Sequence, residues 1–239
     1  MTYKEIILAE DGTRFLINGK VAFNGKTFIE ALKFHEPGLA PVKDESGWYH
    51  IKIDGKALYN ERYQRVFGFY FNRAAVISDS GWFHINEYGE ALYSERYQWC
   101  GNYQENICAV RNRNDFYYHI DKNGSRTYDA RYAYVGDFKD GYACVRSADG
   151  KYKHIDKKGR DLYKQRFHDL GVFHKNYATA KDEKGWFHIN KKGEELYKER
   201  YAMVEPFYNG FALVETLEGV KCVISEIGDL VINLISDSY

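Results

Sequence analysis

The chain has 239 residues, and its Lys+Arg and Asp+Glu counts are both 34, so the formal net charge is zero. Nucleic-acid binders usually carry a basic excess that neutralises phosphates, so this balance argues against a nucleic-acid partner. The chain holds 22 Tyr and 15 Phe, and these residues favour pleated, half-buried surfaces. The composition therefore indicates a β protein that is long enough to bury a core.

The apolar segments are too short to cross a membrane. The longest near the C-terminal end is Leu230-Val231-Ile232 followed by Leu234-Ile235, whereas a spanning helix needs about 20 apolar residues. The first ten residues lack the apolar core of a signal peptide. We therefore expect a cytoplasmic protein with no membrane contact.

The cysteines have no metal-ligand spacing and predict no zinc site. They are Cys100, Cys108, Cys144 and Cys222. We expect buried or half-buried free thiols, as in a reducing compartment, and no cofactor.

A segment of 34–35 residues recurs along the whole chain. Trp82-Phe83-His84-Ile85-Asn86, for example, returns as Trp186-Phe187-His188-Ile189-Asn190. Taken in chain order, the centres of the copies are Phe15, His50, His84, His119, His154, His188 and Cys222. Equal spacing of this kind is the signature of a repeat architecture, so we predict one repeat domain over residues 1–239 with seven units.

Three more positions recur at fixed distances after each histidine. Gly stands five residues later, at Gly55, Gly89, Gly124, Gly159 and Gly193. Tyr stands nine residues later, at Tyr59, Tyr93, Tyr128, Tyr163 and Tyr197. Arg stands twelve residues later, at Arg62, Arg96, Arg131, Arg166 and Arg200, and an aromatic residue follows each Arg.

We assign these repeated residues structural roles. Equivalent positions in stacked sheets lie about 10 Å apart, whereas zinc needs nitrogen ligands at about 2.0–2.1 Å, so the histidines cannot share one metal. We expect each His to hydrogen-bond a backbone carbonyl or the neighbouring Tyr hydroxyl. Each Arg should pair with an adjacent carboxylate, as in Glu61-Arg62, or stack on an aromatic ring.

The repeat predicts short strands that are joined by turns. Around His154 the chain order is a strand over 134–138, the turn Lys139-Asp140-Gly141, a strand over 142–146, the histidine strand, a glycine turn over 156–160 and a strand through Leu162-Tyr163. In the histidine strand, alternate residues face opposite sides. Large side chains occupy both sides, so we expect this strand to be buried on both faces.

The predicted fold is all-β, with about seven β-meander repeats. A unit of four short strands resembles a propeller blade, and we favour a seven-bladed, propeller-like ring. The ends carry Ile6-Ile7-Leu8 and Leu230-Val231-Ile232 with Leu234-Ile235, which could cover each other on closure. The alternatives are an open β-solenoid and a chain that is part of a larger polypeptide.

At these residues the sequence resembles the bacterial WG-repeat proteins, also called KWG proteins. The resemblance is carried by Ile120-Asp121-Lys122-Asn123-Gly124, Ile155-Asp156-Lys157-Lys158-Gly159 and Phe207-Tyr208-Asn209-Gly210-Phe211-Ala212-Leu213-Val214. The glycine that follows the aromatic residue in that family is absent here, which defines a His-Ile variant of the repeat. The resemblance implies a β-repeat module of mostly unknown function and supplies no catalytic residues.

The sequence favours a non-catalytic binding or scaffold module for a protein or peptide partner. No nucleophile, metalloprotease or nucleotide-binding motif is present, so we do not expect an enzyme. Residues that break the repeat are the candidate binding residues, because packing accounts for those that keep it: Trp99, Arg111, Arg113, His174 and Tyr177. The alternative is a small-ligand-binding or enzymatic propeller with its site at the ring mouth.

Overall fold

The structure is a computed structural model that describes residues 2–234. Ile235, at the end of the predicted apolar C-terminal segment, lies outside this range. Within it, the only helices are two short 3-10 turns, Tyr3–Glu5 and Phe23–Gly25, and neither is long enough to span a membrane. The protein is all-β and is built from repeated small sheets. It divides into two compact parts.

The first part comprises the residues up to Asp115 together with His119–Arg126. Its strands are β1 (Ile6–Leu8), β2 (Phe15–Ile17) and β3 (Lys20–Val21) in sheet 1, β4 (Glu30–Ala31), β5 (Leu39–Asp44) and β6 (Gly47–Lys52) in sheet 2, β7 (Arg65–Val66), β8 (Arg73–Ser78) and β9 (Gly81–Asn86) in sheet 3, and β10 (Trp99–Cys100), β11 (Ile107–Arg111) and β12 (Tyr117–Asp121) in sheet 4. Of β12, residues 119–121 belong to this part.

The second part comprises Phe116–Tyr118 and the residues from Thr127 onwards. Its strands are β13 (Tyr134–Val135), β14 (Tyr142–Arg146) and β15 (Tyr152–Asp156) in sheet 5, β16 (Asp169–Leu170), β17 (Tyr177–Lys181) and β18 (Trp186–Asn190) in sheet 6, and β19 (Met203–Val204), β20 (Phe211–Glu215), β21 (Lys221–Ser225) and β22 (Leu230–Leu234) in sheet 7.

Sheets 2 to 6 follow one antiparallel plan of a short strand, a middle strand and a histidine strand. In sheet 5 the short and middle strands are joined through Asp140 and Gly141, which have φ values of 52° and 84°. Two successive positive φ angles are typical of the two-residue hairpin turn that suits twisted strands. The predicted Lys139-Asp140-Gly141 turn is therefore confirmed.

Each histidine strand is buried on both faces, as its sequence predicts. In sheet 2, Trp48 and His50 lie on one side, which we call the histidine face, and Tyr49 and Ile51 lie on the other, the isoleucine face. All four side chains are buried. The histidine face packs on the isoleucine face of the next sheet, because Leu39 and Trp48 share a core cluster with Val66, Ala74, Val76, Phe83 and Ile85 of sheet 3.

The second part repeats this packing. Cys144, on the histidine face of sheet 5, shares one core cluster with Leu170, Ala178, Ala180, Phe187 and Ile189 on the isoleucine face of sheet 6. The same cluster continues to Ala212, Val214, Cys222 and Ile224 of sheet 7. The four cysteines are buried free thiols, which confirms that prediction.

The predicted strand through Leu162-Tyr163 is wrong. The chain there pairs with the histidine strand only at isolated points, one of which joins Phe167 to Tyr152. Between these points it curls around the guanidinium of Arg166, which donates to the carbonyl oxygens of residues 163, 164 and 165. A curl of this kind uses the carbonyl groups that a regular strand would need for its own pairing.

The predicted centre of the last repeat, Cys222, is wrong: the equivalent position in sheet 7 is Val223. Val223 stands next to the Ala–Ile cross-strand pair of this sheet, which is the place that His188 has in sheet 6. The hairpin loop of sheet 7 spans residues 216–220, one residue more than the loop 182–185 of sheet 6. This extra loop residue shifts the strand by one position, so that equal spacing along the chain points to Cys222. Sheet 7 also has a full fourth strand, β22.

Candidate functional site

The repeated histidine holds two groups together. His50 Nε2 lies 2.8 Å from the carbonyl oxygen of Phe67, which belongs to the next repeat, and its Nδ1 lies 2.6 Å from the Tyr59 hydroxyl. A carbonyl oxygen can only accept, so Nε2 carries the proton and Nδ1 accepts from the tyrosine. The pattern recurs at His84 with Tyr93 and Gly101, at His154 with Tyr163 and Gly171, and at His188 with Tyr197 and Glu205.

Burial keeps these histidines neutral. It lowers the pKa of His50, His84, His154 and His188 from 6.5 to about 4, against a smaller opposing effect of the backbone carbonyl. Burial also raises the pKa of their tyrosine partners above the usual range. Both ring nitrogens are occupied and the pKa is low, so these four side chains are poor bases at neutral pH.

The tyrosine ring also packs on the next repeat through a glycine. Gly89 has a φ of 86°, and a Cβ atom added there would overlap the ring of Tyr59. The same approach joins Gly124 to Tyr93, Gly159 to Tyr128, Gly193 to Tyr163 and Gly228 to Tyr197. We call this arrangement of histidine, tyrosine and the glycine of the next repeat the His–Tyr–Gly lock.

The first repeat builds the lock without a hydrogen bond. Phe15 takes the place of the histidine and Phe23 that of the tyrosine, with ring centroids 5.8 Å apart. A Cβ atom added to Gly55 would lie 2.5 Å from the Phe23 ring. An apolar pair can thus fill the same space.

Three of the repeated arginines stack on rings, as predicted. Arg62 lies 3.9 Å from the ring centroid of Tyr49, and the equivalent contacts are Arg96 on Phe83 at 3.7 Å and Arg200 on Phe187 at 3.8 Å. The residue before the arginine offers its carbonyl oxygen, as Glu61 does to Arg62 at 2.9 Å. Arg200 makes the same contact with Glu199 at 3.1 Å and also pairs with Asp182 and Glu195. Arg131 lies 6.0 Å from the ring of Phe116.

The structure brings two of the predicted binding residues together in the first part. Trp99 and Arg111 are direct cross-strand partners in sheet 4. Arg111 also forms an ion pair with Asp115 at 3.8 Å. Arg113 lies in the following loop, where it is exposed and donates to the carbonyl oxygen of Ser80 at 3.0 Å.

The other two predicted binding residues lie in the second part. His174 and Tyr177 pair through their main chains across a tight turn. The Tyr177 hydroxyl donates to Glu226 at 3.2 Å, and its ring lies 5.5 Å from that of Phe207. The Nε2 atom of His174 is buried without a hydrogen-bond partner. Packing within sheets 6 and 7 therefore accounts for most of the Tyr177 contacts.

Trp99 and Arg111 occupy a position that recurs in other sheets. Each such position consists of three residues that stand side by side: the first residue of a short strand, its partner on the middle strand, and the partner of that residue on the following strand. These trios are Glu30–Lys43–Trp48, Arg65–Ile77–Trp82, Tyr134–Arg146–Tyr152, Asp169–Lys181–Trp186 and Met203–Glu215–Lys221. We call them, with Trp99–Arg111, the hairpin-end rows.

The hairpin-end rows place cations over aromatic rings. Arg65 lies 4.1 Å from the ring centroid of Trp48 and pairs with Glu30 at 3.2 Å. Lys181 lies 5.6 Å from the Trp186 ring, and in sheet 5 Arg146 lies 5.9 Å from the ring of Tyr152. Sequence reasoning missed these rows because residues of the short strands follow no repeated pattern.

Within residues 2–234, no group of three or more His, Cys, Asp or Glu side chains is placed to hold a metal ion. The described chemistry is thus of two kinds: buried neutral locks between repeats, and partly exposed rows of charged and aromatic side chains. A chain of this construction is an all-β repeat protein.

The model of the family described as WG containing repeat matches residues 120–152 and 186–218. Two segments of the chain thus carry the WG repeat, as the sequence resemblance implied. Its bacterial origin and the His-Ile variant stay predictions. The comparison with curated proteins gives no significant match.

The solved structures that are similar to this chain include the following three. The computationally designed Ika8 protein is 14% identical with a TM-score of 0.48, over 96% of this chain and 83% of that one. BamB from Moraxella catarrhalis is 13% identical with a TM-score of 0.48, over 96% and 81%. Hsv2 from Kluyveromyces lactis is 7% identical with a TM-score of 0.47, over 80% and 72%.

Proposed function

We propose that the protein is a non-catalytic binding module that contacts a protein or peptide partner through its hairpin-end rows. One observation carries the proposal: the chain separates residues that hold repeats together from residues that differ between repeats. The lock residues are repeated, buried and paired. In the rows, the first two residues change from sheet to sheet, while the third is the repeated Trp or Tyr in sheets 2, 3, 5 and 6. Several of these rings lie beside a cation.

The composition of the rows suits recognition of a polypeptide. Aromatic residues and arginine are enriched among the residues that dominate binding energy in protein interfaces. Sheet 5 offers Tyr134, which is 44% exposed, beside Arg146 and Tyr152. Sheet 6 offers an acid, a cation and an indole in Asp169, Lys181 and Trp186. Neighbouring sheets therefore present different side chains at equivalent positions. One extended partner could contact several rows and be recognised by a different set of side chains at each.

The locks argue against using the repeated histidines for catalysis. Their rings are buried, both nitrogens are occupied, and their low pKa keeps the rings neutral, so they carry no acidic imidazolium proton at neutral pH. The non-repeated His168 is exposed and faces Glu183 at 4.0 Å, while His174 is tied into its own turn. The rows are the better-supported site.

The test compares one row variant with one control in the full chain. The wild-type protein is used to recover a partner from a native extract at low salt, and the affinity is then measured with the purified partner. Lys181→Ala with Trp186→Ala should weaken binding at least about tenfold, the loss expected from removing an interface anchor. The control is Lys164→Ala with Gln165→Ala, two exposed residues outside the rows.

Circular dichroism of both variants checks that the sheets are intact. Unchanged affinity in the row variant would refute the assignment of the rows, and equal losses in the two variants would do the same. Binding that resists every row substitution and depends on a nucleic acid in the extract would refute the proposed partner class.

A further inference from the structure

Within residues 2–234, sheets 1 and 7 each carry a face that lacks the cover that equivalent faces receive where sheets stack within one part. One is the isoleucine face of sheet 1. Ile7, Leu16 and Val21 form a cross-strand row on that face. Ile7 is 63% exposed and Val21 is 43% exposed, whereas Ala40 and Ile51 on the same face of sheet 2 are fully buried. Sheet 1 thus presents an apolar surface to its surroundings.

The other uncovered face is the histidine face of sheet 7. Leu213, Val223 and Ile232 form the cross-strand row there. Ile232 is 53% exposed, and Leu234 on the same strand is 44% exposed. The strand β22 contains no charged residue and no proline, two of the features that usually protect an exposed edge strand. A register shift interrupts its pairing with β21 between Val223 and Ile224.

The chain itself shows what covers a face of this kind. Wherever two successive sheets stack in either part, a histidine face lies against the isoleucine face of the following sheet. The uncovered face of sheet 7 is of the first type and that of sheet 1 is of the second. The two faces are therefore complementary by the same rule that joins neighbouring repeats.

The residue at the histidine position supports this match. In the covered sheets, Nε2 of the histidine donates to a carbonyl oxygen of the following repeat, as His188 does to Glu205. In sheet 7 the position is held by Val223, which needs no such acceptor. Its row and that of sheet 1 are both wholly apolar, so they can pack without leaving a buried polar group unpaired.

We infer that sheet 7 of one copy of this chain packs its histidine face on the isoleucine face of sheet 1 of a second copy, so that copies associate head to tail. This contact is heterologous, because the two surfaces differ. Because the net charge is zero, long-range electrostatic repulsion between two copies is small. A ring closed within one chain, as predicted from the sequence, would use the same two faces.

The experiment measures mass by light scattering over about a hundredfold range of concentration, since association follows mass action. Two variants each place a charge on one face, Ile7→Lys on sheet 1 and Ile232→Lys on sheet 7. The control, Val172→Lys, changes an exposed apolar residue that is 46% accessible and lies on neither face. Circular dichroism confirms that all variants keep their β content.

The wild type and the control should gain mass with concentration beyond two protomers, while each face variant alone stays at one protomer. An equimolar mixture of the face variants should form pairs and stop there, because the intact sheet 7 of one meets the intact sheet 1 of the other. A wild type that stays at one protomer throughout would overturn the inference and favour closure within one chain. Blocking by Ile232→Lys but not by Ile7→Lys would overturn it in favour of an isologous contact.

Discussion

Each described histidine of the locks has one acceptor and one donor as neighbours, which matches a neutral ring with its proton on Nε2. The energetic importance of this match comes from burial, since His50 and His84 are almost inaccessible to water. A buried polar atom that loses its partner costs about 1–3 kcal/mol. The tyrosine hydroxyl is thus a structural group, although it lies beside a residue type that is common in active sites.

Removing one hydroxyl should expose this cost. Tyr59→Phe keeps the ring on Gly89 but leaves His50 Nδ1 without its donor at 2.6 Å. We expect the free energy of unfolding to fall by about 1–3 kcal/mol, measured by urea denaturation. Tyr88→Phe is the control, because Tyr88 is 70% exposed and surface substitutions usually stay within about 0.5 kcal/mol. Equal effects of the two substitutions would contradict the role of the lock.

At this scale the sequence predicts half of the lock. The constant spacing of nine residues between His and Tyr suggested their hydrogen bond, which the structure contains. The carbonyl acceptor is harder to name, because Phe67, Gly101 and Glu205 share no side-chain feature. Main-chain groups leave no mark on the residue pattern, so only the structure identifies them.

At the scale of the strands and turns, the glycine after each histidine strand does two things at once. Gly89 turns the chain with a positive φ and lets the neighbouring tyrosine ring lie directly on its Cα. Gly150 has a similar φ of 80° but nothing within 4 Å of an added Cβ. A substitution at Gly150 therefore tests backbone strain alone, whereas one at Gly89 tests backbone strain together with the contact between repeats.

Alanine substitution at both sites should measure the contact. Each change forces a left-handed conformation on a residue with a Cβ, which costs about 1–2 kcal/mol. Gly89→Ala should cost about 1–3 kcal/mol more than Gly150→Ala, because it also overpacks the junction with Tyr59. Thermal unfolding of both variants checks the difference. A Gly150→Ala variant that is as unstable as Gly89→Ala would show that the ring contact adds nothing.

The strands themselves were more predictable than their partners. The alternation of side chains between the two faces of a strand identified the middle and histidine strands, where each residue has a defined face. It failed between residues 161 and 167, because Arg166 draws carbonyl groups out of the ladder there. Equal spacing along the chain misplaced Cys222, because spacing does not show that the hairpin loop of sheet 7 has one extra residue.

At the scale of the whole molecule, the locks add up to a pH dependence. The four histidines of known shift have a folded pKa of about 4 and an ordinary value of 6.5. Between these values the unfolded chain binds more protons than the folded one, so stability falls as the pH falls. It is fully present above about pH 6.5, and most of the loss is complete near pH 4.

The slope can be measured by urea denaturation across this window. Each histidine contributes about 1.4 kcal/mol per pH unit, and the four together about 5 kcal/mol per pH unit. A variant with His84→Phe and Tyr93→Phe copies the Phe15–Phe23 pair of the first repeat and should lower the slope by about 1.4 kcal/mol per pH unit, the contribution of one histidine. Stability that stays constant from pH 6.5 to 4 would show that the rings titrate normally.

Each lock joins only two successive repeats, and this affects how the number of repeats in the chain can change. A histidine bonds its own tyrosine and the next repeat, and that tyrosine touches the glycine of the next repeat, with no lock residue placed further along. Copying one interior segment of the gene in frame would therefore create a new junction whose donors, acceptors and glycine are already correct. Repeat number is thus free to drift by unequal recombination, while the face that each added sheet shows a partner is free to diverge afterwards.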